Sequence, residues 1–224
     1  MQRIFVISLT ELTYEKKDLN VSFSENRLSI GLLSRIVTNA IFLSHSLREK
    51  VIIRIFIEKP VSHIIQIDSA TIRYLGPELR SLASLILKAK KKFLEVFSNN
   101  YFTNNIWFEA NPGLFIRLAS NPLQDLSVKA KTPIPLVSVA LDNNHINPDA
   151  RSVTLKEFVH LIKTLSENKN AFIVYFSFIP EHLSKIPLNS QDFLINSVVI
   201  SQKIDLARLT NIVNIILDEN REST

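Results

Sequence analysis

One carboxylate in this chain stands where parallel sheets bind their ligands. Asp142 follows a short apolar run at residues 135–141 that is typical of a buried strand. Ligands of open parallel sheets bind at the carboxyl ends of strands, and a carboxylate there can accept or orient a proton. The alternative is an ordinary turn residue, because Asp142 begins the sequence Asp-Asn-Asn. Asp142 is therefore a candidate catalytic residue.

The residues needed for most other kinds of catalysis are missing. The chain has no cysteine, and its three glycines, Gly31, Gly76 and Gly113, form no phosphate-binding loop. No histidine has a partner at zinc-ligand spacing, and there is no Gly-x-Ser-x-Gly motif. The sequence predicts no metal site, no thiol chemistry and no serine nucleophile.

The charge of the chain favours a polyanionic partner. Its 224 residues include 26 Lys and Arg against 21 Asp and Glu, a net charge of +5. Four arginines are candidate RNA contacts: Arg27, Arg35, Arg48 and Arg80. The lysines between residues 88 and 92 are equally well explained as a solvated helix face. Aromatic residues are not interleaved with these cations as they are in a stacking platform.

The apolar pattern of the first half predicts mixed strands and helices. The expected strands cover residues 3–9, 50–58, 63–68, 71–74, 104–109 and 114–118. The expected helices cover residues 27–45 and 77–97, the second with Pro77 in its first turn. This half, residues 1–130, is interpreted as an elaboration of the C-terminal part.

The second half alternates strands with helices. The expected strands cover residues 135–141, 171–176 and 197–200, and the helices cover 153–166 and 205–219. Such alternation predicts a parallel sheet covered by helices, within one domain of residues 1–224. No apolar stretch reaches the roughly 18 residues of a membrane helix, and no signal peptide is visible. We therefore expect a soluble, cytoplasmic protein without a membrane partner.

Several short motifs follow one another in a specific order. They are Arg27-Leu28, Thr38-Asn39-Ala40, Phe42-Leu43-Ser44-His45, Ile72-Arg73-Tyr74-Leu75, Pro77-Glu78-Leu79-Arg80-Ser81 and Asn111-Pro112-Gly113-Leu114-Phe115-Ile116. In this order and at these distances, they resemble the archaeal tRNA pseudouridine-54 N1-methyltransferases of the SPOUT superfamily. The resemblance covers most of the chain.

This resemblance implies a fold and an activity. The fold would be α/β, with a SPOUT-like parallel sheet, helices on both faces and a C-terminal trefoil knot. The activity would be transfer of a methyl group from S-adenosylmethionine to N1 of a pseudouridine in the tRNA T-loop, by a homodimer that binds tRNA. Asp142 would accept or orient the N1 proton. The apolar stripe of the last helix, from Leu206 to Leu217, is typical of a core and would also suggest a dimer face.

The resemblance also implies where the cofactor would bind. The residues concerned lie near the ends of the last strands and in the segment leading into the last helix. They are Val139, Tyr175, Phe176, Val199, Ile200, Ser201, Gln202, Ile204 and Leu209.

The two cofactor loops depart from the pattern of the family. The family's Leu-Gly-Asp loop corresponds here to Val174-Tyr175-Phe176-Ser177, and its Leu-Gly-Pro loop to Val199-Ile200-Ser201. Glycine lets the backbone approach a ligand closely at positive φ, a conformation that β-branched Ile200 resists. The alternative is a catalytically degenerate homologue that binds RNA or a protein partner. A third possibility is an unrelated α/β interaction protein. A cavity near Tyr175, Ile200 and Leu209 would favour the enzyme, and side chains that fill it would favour the degenerate homologue.

Overall fold

The fold is that of a computed structural model, which describes most of the chain. The described residues are 1–12, 30–44, 46–98, 106–123, 126, 133–140, 150–167, 169–177, 193–200 and 204–222. Within them, nine strands form one mixed sheet and four helices pack beside it. None of these helices is long and apolar enough to cross a membrane.

The elements follow the predicted alternation. The strands are β1 (Gln2–Leu9), β2 (Val51–Ile57), β3 (His63–Asp68), β4 (Phe108–Asn111), β5 (Leu114–Leu118), β6 (Ile134–Ala140), β7 (Arg151–Val153), β8 (Ala171–Ser177) and β9 (Phe193–Ile200). The helices are α1 (Ile30–Ile41), α2 (Leu79–Ser98), α3 (Leu155–Ser166) and α4 (Leu206–Glu222).

The sheet has a parallel part and an antiparallel end. Its order is β4-β5-β3-β2-β1-β8-β6-β9-β7. The six strands from β2 to β7 in this order run parallel, whereas β3, β5 and β4 are antiparallel to their neighbours. The first strand, β1, lies between β2 and β8. The sheet is therefore continuous across residue 130, where the two halves of the sequence were divided.

Alternation along the strands gives each face of the sheet its own core. Phe5, Val139 and Phe176 belong to a large cluster that also contains the buried residues of all four helices. Ile173 and Tyr175 point to the second face, where a smaller cluster includes Leu123 but no helical residue of the described chain. The described helices thus cover one face, and the helices expected on the second face are not among the described elements.

Most predicted strands and helices are confirmed, but several have other ends. The helix expected over 27–45 ends at Ile41, the strand expected over 104–109 is Phe108–Asn111, and the strand expected over 197–200 begins at Phe193.

Two further differences concern the kind of element. Residues 71–74 do not form the expected strand. They form an irregular turn, in which Tyr74 has a positive φ of 64°, outside the extended region. β7 was not predicted as a strand, since three residues are too few to show a period of two. It forms the edge of the sheet beside β9.

Candidate cofactor and RNA sites

Three neighbouring parallel strands end side by side at one edge of the sheet. β8 ends at Ser177, β6 at Ala140 and β9 at Ile200, with Ala140 paired to Ser177 on one side and to Val199 on the other. Because the strands are parallel, the segments that follow them leave from the same edge. We call this side of the sheet the carboxyl edge, and it is where open α/β sheets bind ligands.

Several predicted cofactor residues are brought together at the carboxyl edge. Val139 is the partner of Phe176 in β8 and of Val198 in β9. Val139, Phe176 and Tyr175 have no exposed surface, and Tyr175 lies on the opposite face of the sheet from the other two. These side chains can support the wall of a site but offer little surface to a ligand.

Two other predicted residues keep apolar surface available. Ile200 and Ile204 are half-buried and pack on the helix-side core, whereas Leu209 in α4 is fully buried in it. Ligand sites are lined mainly by apolar side chains with a few polar groups. Ile200 and Ile204 therefore have exposed apolar surface that could contact the flat part of a nucleoside. Tyr175, Phe176 and Leu209 are buried and could only support such a site from within.

Four predicted site residues lie outside the described residues: Arg27, Asp142, Ser201 and Gln202. The segments that follow the three strand ends, 141–149, 178–192 and 201–203, lie outside them as well. None of these segments contains a glycine. Any close approach of their backbone to a ligand must therefore be made by residues that have a Cβ atom.

A polar network holds α4, which carries Leu209, at the opposite edge of the sheet. The guanidinium group of Arg3, at the start of β1, donates a hydrogen bond to Asn214 Oδ1 at 2.8 Å and another to the carboxylate of Asp218. The Asn214 side chain in turn donates to the carbonyl oxygen of Asn39 at 2.9 Å. The network ties the last helix to β1 and α1, so the N-terminal half positions α4.

Arg48 completes this network. It donates to the Asp218 carboxylate at 3.2 Å and to the carbonyl oxygens of Asn39 and Phe42 at 3.1 and 2.8 Å. Only 9% of the Arg48 side chain is exposed, which leaves little of it for the RNA contact predicted from the sequence. Burial acts to raise the pKa of Asp218, but hydrogen bonds and charge from Arg3 and Arg48 outweigh burial and hold that pKa below its ordinary value.

The other two described candidates for RNA contact are open to solvent. Arg35 is exposed on α1 and Arg80 is exposed in the first turn of α2. The Thr38 hydroxyl, one helical turn after Arg35, donates to the carbonyl oxygen of Pro77 at 3.5 Å. Neither arginine has an ion-pair partner within the part of the chain that the structure describes. Both are therefore available to a phosphate group.

Comparison with known proteins gives a sequence relative and several structural neighbours. The chain is 33% identical over 120 residues to the tRNA (pseudouridine(54)-N(1))-methyltransferase of Methanococcoides burtonii. This match covers 52% of the chain and 54% of the relative, so the chain spans about half the length of the curated protein it matches. No family model matches. The resemblance read from the sequence is confirmed by this relative.

One of the structural neighbours is Nep1 of Archaeoglobus fulgidus, solved with S-adenosylhomocysteine bound. It covers 99% of this chain and 99% of its own, with a TM-score of 0.51 and 10% sequence identity. The chain has a SPOUT fold. At 10% identity the likeness concerns the fold alone. The trefoil knot stays a prediction, because residues 141–149, 178–192 and 201–203 lie outside the described parts.

The SPOUT fold of this chain has a cleft outside the carboxyl edge. It encloses 630 Å³ between α3, β7 and the middle of β9. Its lining residues are Arg151, Val153, Lys156, Glu157, His160, Leu161, Thr164, Ile195, Asn196, Ser197 and Val198. In the described residues no three His, Asp or Glu side chains are placed to hold a metal ion there or elsewhere. This cleft could not be predicted from the sequence, because its walls come from elements that are separate in the chain.

A second feature that the sequence did not reveal is Tyr74. Its side chain is 77% exposed, and the Lys88 ammonium group lies 5.8 Å from the centre of its ring. The sequence places Tyr74 in a motif that was interpreted as the end of a strand. The tertiary structure shows that Tyr74 lies in a turn with its side chain in solvent. This turn is at the edge of the SPOUT fold opposite the carboxyl edge.

Proposed function

We propose that this protein is an S-adenosylmethionine-dependent RNA methyltransferase that methylates N1 of a pseudouridine in the tRNA T-loop. The observation that carries the proposal is the SPOUT fold, shared over 99% of both chains with Nep1, which was solved with S-adenosylhomocysteine. The substrate is proposed from the name of the relative that is 33% identical over 120 residues.

The cofactor would bind at the carboxyl edge. Ile200 and Ile204 supply the apolar surface, and Ser201 and Gln202 between them would supply backbone and side-chain polar groups. The remaining predicted residues support this surface from the core: Val139, Tyr175, Phe176, Val199 and Leu209. When bound, S-adenosylmethionine supplies a methyl group on a positively charged sulfur, which makes that methyl strongly electrophilic.

The protein then has two tasks, to align the acceptor nitrogen and to receive its proton. Alignment of the two reactants can supply a large part of the rate enhancement. As the new N–C bond forms, the N1 proton leaves the ring, and a carboxylate within hydrogen-bond reach can take it. We assign this step to Asp142, two residues after the end of β6.

The tRNA would be held by positive charge, in a homodimeric enzyme of the cytoplasm. Arg27, Arg35 and Arg80 are proposed to contact phosphates. The apolar stripe of α4 is core in this chain, since Leu206, Leu209 and Leu217 are buried within it. A dimer face must therefore use other surfaces, such as the exposed Leu194 and Ile195 of β9. Sedimentation velocity tests this assembly: a species with twice the mass of the chain is expected.

A second function is supported by the side chains at the carboxyl edge. Tyr175 and Leu209 are fully buried, and the segments that follow the strand ends contain no glycine. These features are what a degenerate homologue would show, one that binds RNA or a protein partner without methyl transfer.

Calorimetric titration with S-adenosylmethionine separates the two functions. The enzyme should bind the cofactor, and Ile200→Trp should abolish binding by filling the apolar surface at the carboxyl edge. Ile106→Trp is the matched control, because Ile106 is 48% exposed and lies just before β4, at the antiparallel end of the sheet. Absence of heat with the wild-type protein at millimolar cofactor would contradict the methyltransferase function and favour the degenerate homologue.

The substrate is tested by mass spectrometry of RNA after incubation with protein and cofactor. A T-loop hairpin with pseudouridine should gain one methyl group, and the same hairpin with uridine should gain none. Asp142→Asn should lower the rate about 100-fold or more while cofactor binding is retained. A methyl group on another base would contradict the assigned substrate and retain the class of enzyme.

A further inference from the structure

Tyr74 has a conformation that its own packing does not explain. Its φ of 64° lies in the left-handed region, which a bulky residue rarely adopts. Side chains held there carry local strain, which persists only where surrounding contacts enforce it. The ring of Tyr74 is 77% exposed, so burial of the ring offsets little of this strain.

The backbone around Tyr74 is held by contacts on both sides. The Ser81 hydroxyl donates to the Tyr74 carbonyl oxygen at 3.0 Å and accepts from the Gly76 N–H at 2.6 Å. On the other side, the Asn111 amide donates to the carbonyl oxygen of Arg73 at 3.1 Å, and the Arg73 N–H donates to that of Pro112 at 3.2 Å. The exposed ring is therefore carried on a fixed backbone.

The β4–β5 turn presses against the same segment. A Cβ atom on Gly113, whose φ is +75°, would lie 2.3 Å from the backbone nitrogen of Ile72. Lys88 of α2 donates a hydrogen bond to Asn111 Oδ1 at 3.3 Å. Its ammonium group also lies near the Tyr74 ring. The ring and the cation thus form one small surface.

Cations surround this surface. Arg73 and Arg80 are exposed next to it, and neither has an ion-pair partner among the described residues. Glu78 is the one carboxylate between residues 70 and 90. An exposed aromatic face flanked by cations is what single-stranded nucleic acid binds, because bases stack on the ring and phosphates pair with the charges.

We propose that Tyr74 stacks on an unpaired base of the RNA substrate, with Lys88, Arg73 and Arg80 contacting the adjoining phosphates. The turn follows β3, whose last residue pairs with Ile52 near the start of β2, so it lies at the edge opposite the cofactor segments. Tyr74 therefore positions the RNA at a distance from the reacting nitrogen. This inference rests on the proposed function in that the ligand is the same RNA.

The first test measures RNA binding in the absence of cofactor. The probe is a fluorescently labelled T-loop hairpin, and a fully paired duplex of equal length serves as the comparison. Tyr74→Ala should weaken hairpin binding about tenfold and leave duplex binding unchanged, because a duplex offers no free base face. Tyr74→Phe keeps the ring and should bind the hairpin as the wild type does.

Two further measurements separate stacking from a structural role. Tyr74→Gly should bind the hairpin as weakly as Tyr74→Ala while its melting temperature does not fall, since glycine adopts positive φ without strain. A hairpin with 2-aminopurine in the loop should lose fluorescence on binding the wild type and Tyr74→Phe, but not Tyr74→Ala.

Salt dependence distinguishes the ring from its neighbouring cations. Arg80→Ala and Lys88→Ala should each reduce the slope of log K against log salt concentration by about 0.7, because each releases one fewer counterion from a single strand. Tyr74→Ala should leave that slope unchanged.

The results of these experiments distinguish a failure of the stacking role from a failure of the proposed function. Equal hairpin affinity of wild type and Tyr74→Ala, with methyl transfer intact, would overturn the stacking role and leave the enzyme in place. Equal loss of hairpin and duplex affinity in Tyr74→Ala would also overturn it. If the wild type binds no RNA, both the stacking role and the RNA methyltransferase function are wrong.

Discussion

The two edges of the parallel sheet are built in different ways. At the edge where the strands begin, Arg3, Arg48 and Asp218 form a hydrogen-bonded network, and several side-chain contacts hold the turn around Tyr74. At the carboxyl edge, the described strand ends carry mainly apolar side chains such as Val139 and Ile200. One edge is fixed by polar contacts, and the other offers apolar surface for a ligand.

This difference separates the polar network that stabilises the fold from the surface proposed to bind the cofactor. Substitutions in the network of Arg3, Arg48 and Asp218 break buried polar contacts, so they should lower the free energy of unfolding. Substitutions of half-buried residues at the carboxyl edge would remove the proposed ligand contacts, so they should lower cofactor affinity with little effect on folding. Each of the following experiments tests one side of this division.

Among the polar contacts, the largest loss of stability is expected from Asp218→Ala. The side chain of Arg3 is 2% exposed and would remain buried without its carboxylate. Removing one member of a buried pair costs about 3–5 kcal/mol, and the 38% exposure of Asp218 places this case near the lower figure. Urea unfolding measures the change.

Glu219→Ala is the matched control for Asp218→Ala. Glu219 is the next residue on α4, and its pair with Lys163 is at the surface, with both side chains about half exposed. Such pairs contribute about 0.2–1 kcal/mol. Equal losses in the two variants would show that the Arg3 network does not hold α4.

A smaller loss is expected from Gly113→Ala, which disturbs the turn that carries Tyr74. The new Cβ atom would have to occupy a position 2.3 Å from the Ile72 backbone, at a φ of +75° that alanine disfavours. We expect a loss of about 2 kcal/mol. Gly76→Ala is the control, since the Cβ there meets the movable end of the Glu78 side chain, and it should cost less than half as much.

The stability of the fold should depend on pH in two separate ranges, one set by His63 and one by Asp218. His63, the first residue of β3, pairs with Ile57 at the carboxyl end of β2. Burial disfavours its charged form and lowers its pKa, an effect partly opposed by its hydrogen bond to the Val61 carbonyl oxygen. The unfolded chain then binds the proton first, so stability falls as pH decreases below about 6.5, by at most about 1.4 kcal/mol per pH unit. His63→Gln should remove this slope.

The lowered pKa of Asp218 has its effect at more acid pH. Its contribution to stability is complete above the unfolded pKa of about 4 and is lost as pH falls through the lower folded value. The difference in unfolding free energy between the wild type and Asp218→Asn should therefore shrink below pH 4 or so. A difference that stays constant from neutral to acid pH would contradict the ion pair.

At the carboxyl edge, only a small change in stability is expected from Ile204→Ala. Ile204 is half-buried at the carboxyl edge, so its truncation should cost less than about 1.5 kcal/mol and weaken S-adenosylmethionine binding about fivefold. Leu209→Ala removes a fully buried side chain and should cost about 2–5 kcal/mol while affinity in the folded protein is retained. The reverse pattern would place Leu209 in the cofactor site itself.

The sequence predicted the sheet well because its strands are long apolar runs. β1, β2 and β6 each contain seven or eight residues, enough to show their type without tertiary information. The alternation of strands and helices in the second half predicted the parallel part of the sheet, which contains the carboxyl edge. The faces were harder to predict, since neighbours such as Tyr175 and Phe176 are equally apolar and only the register shows that they point to opposite cores.

The features that could not be predicted depend on contacts between residues that are far apart in the sequence. Arg48 is buried by its contact with Asp218, which lies 170 residues away. The local sequence therefore could not distinguish Arg48 from an exposed arginine. The positive φ of Tyr74 is enforced by the β4–β5 turn and Ser81, which no local pattern at residues 72–75 reveals. These are the positions where tertiary structure overrides local preference.

The contact between Arg3 and Asp218 also has a consequence for synthesis on the ribosome. The two residues are 215 apart in the chain. At a translation rate of about 5–20 residues per second, Arg3 is made about 10–40 s before its carboxylate exists. Throughout that time β1 also lacks β8, its neighbour on one side. The nascent chain thus carries an open strand edge and an uncompensated cation until β8 and Asp218 have been made, which is the interval in which a chaperone has a surface to bind.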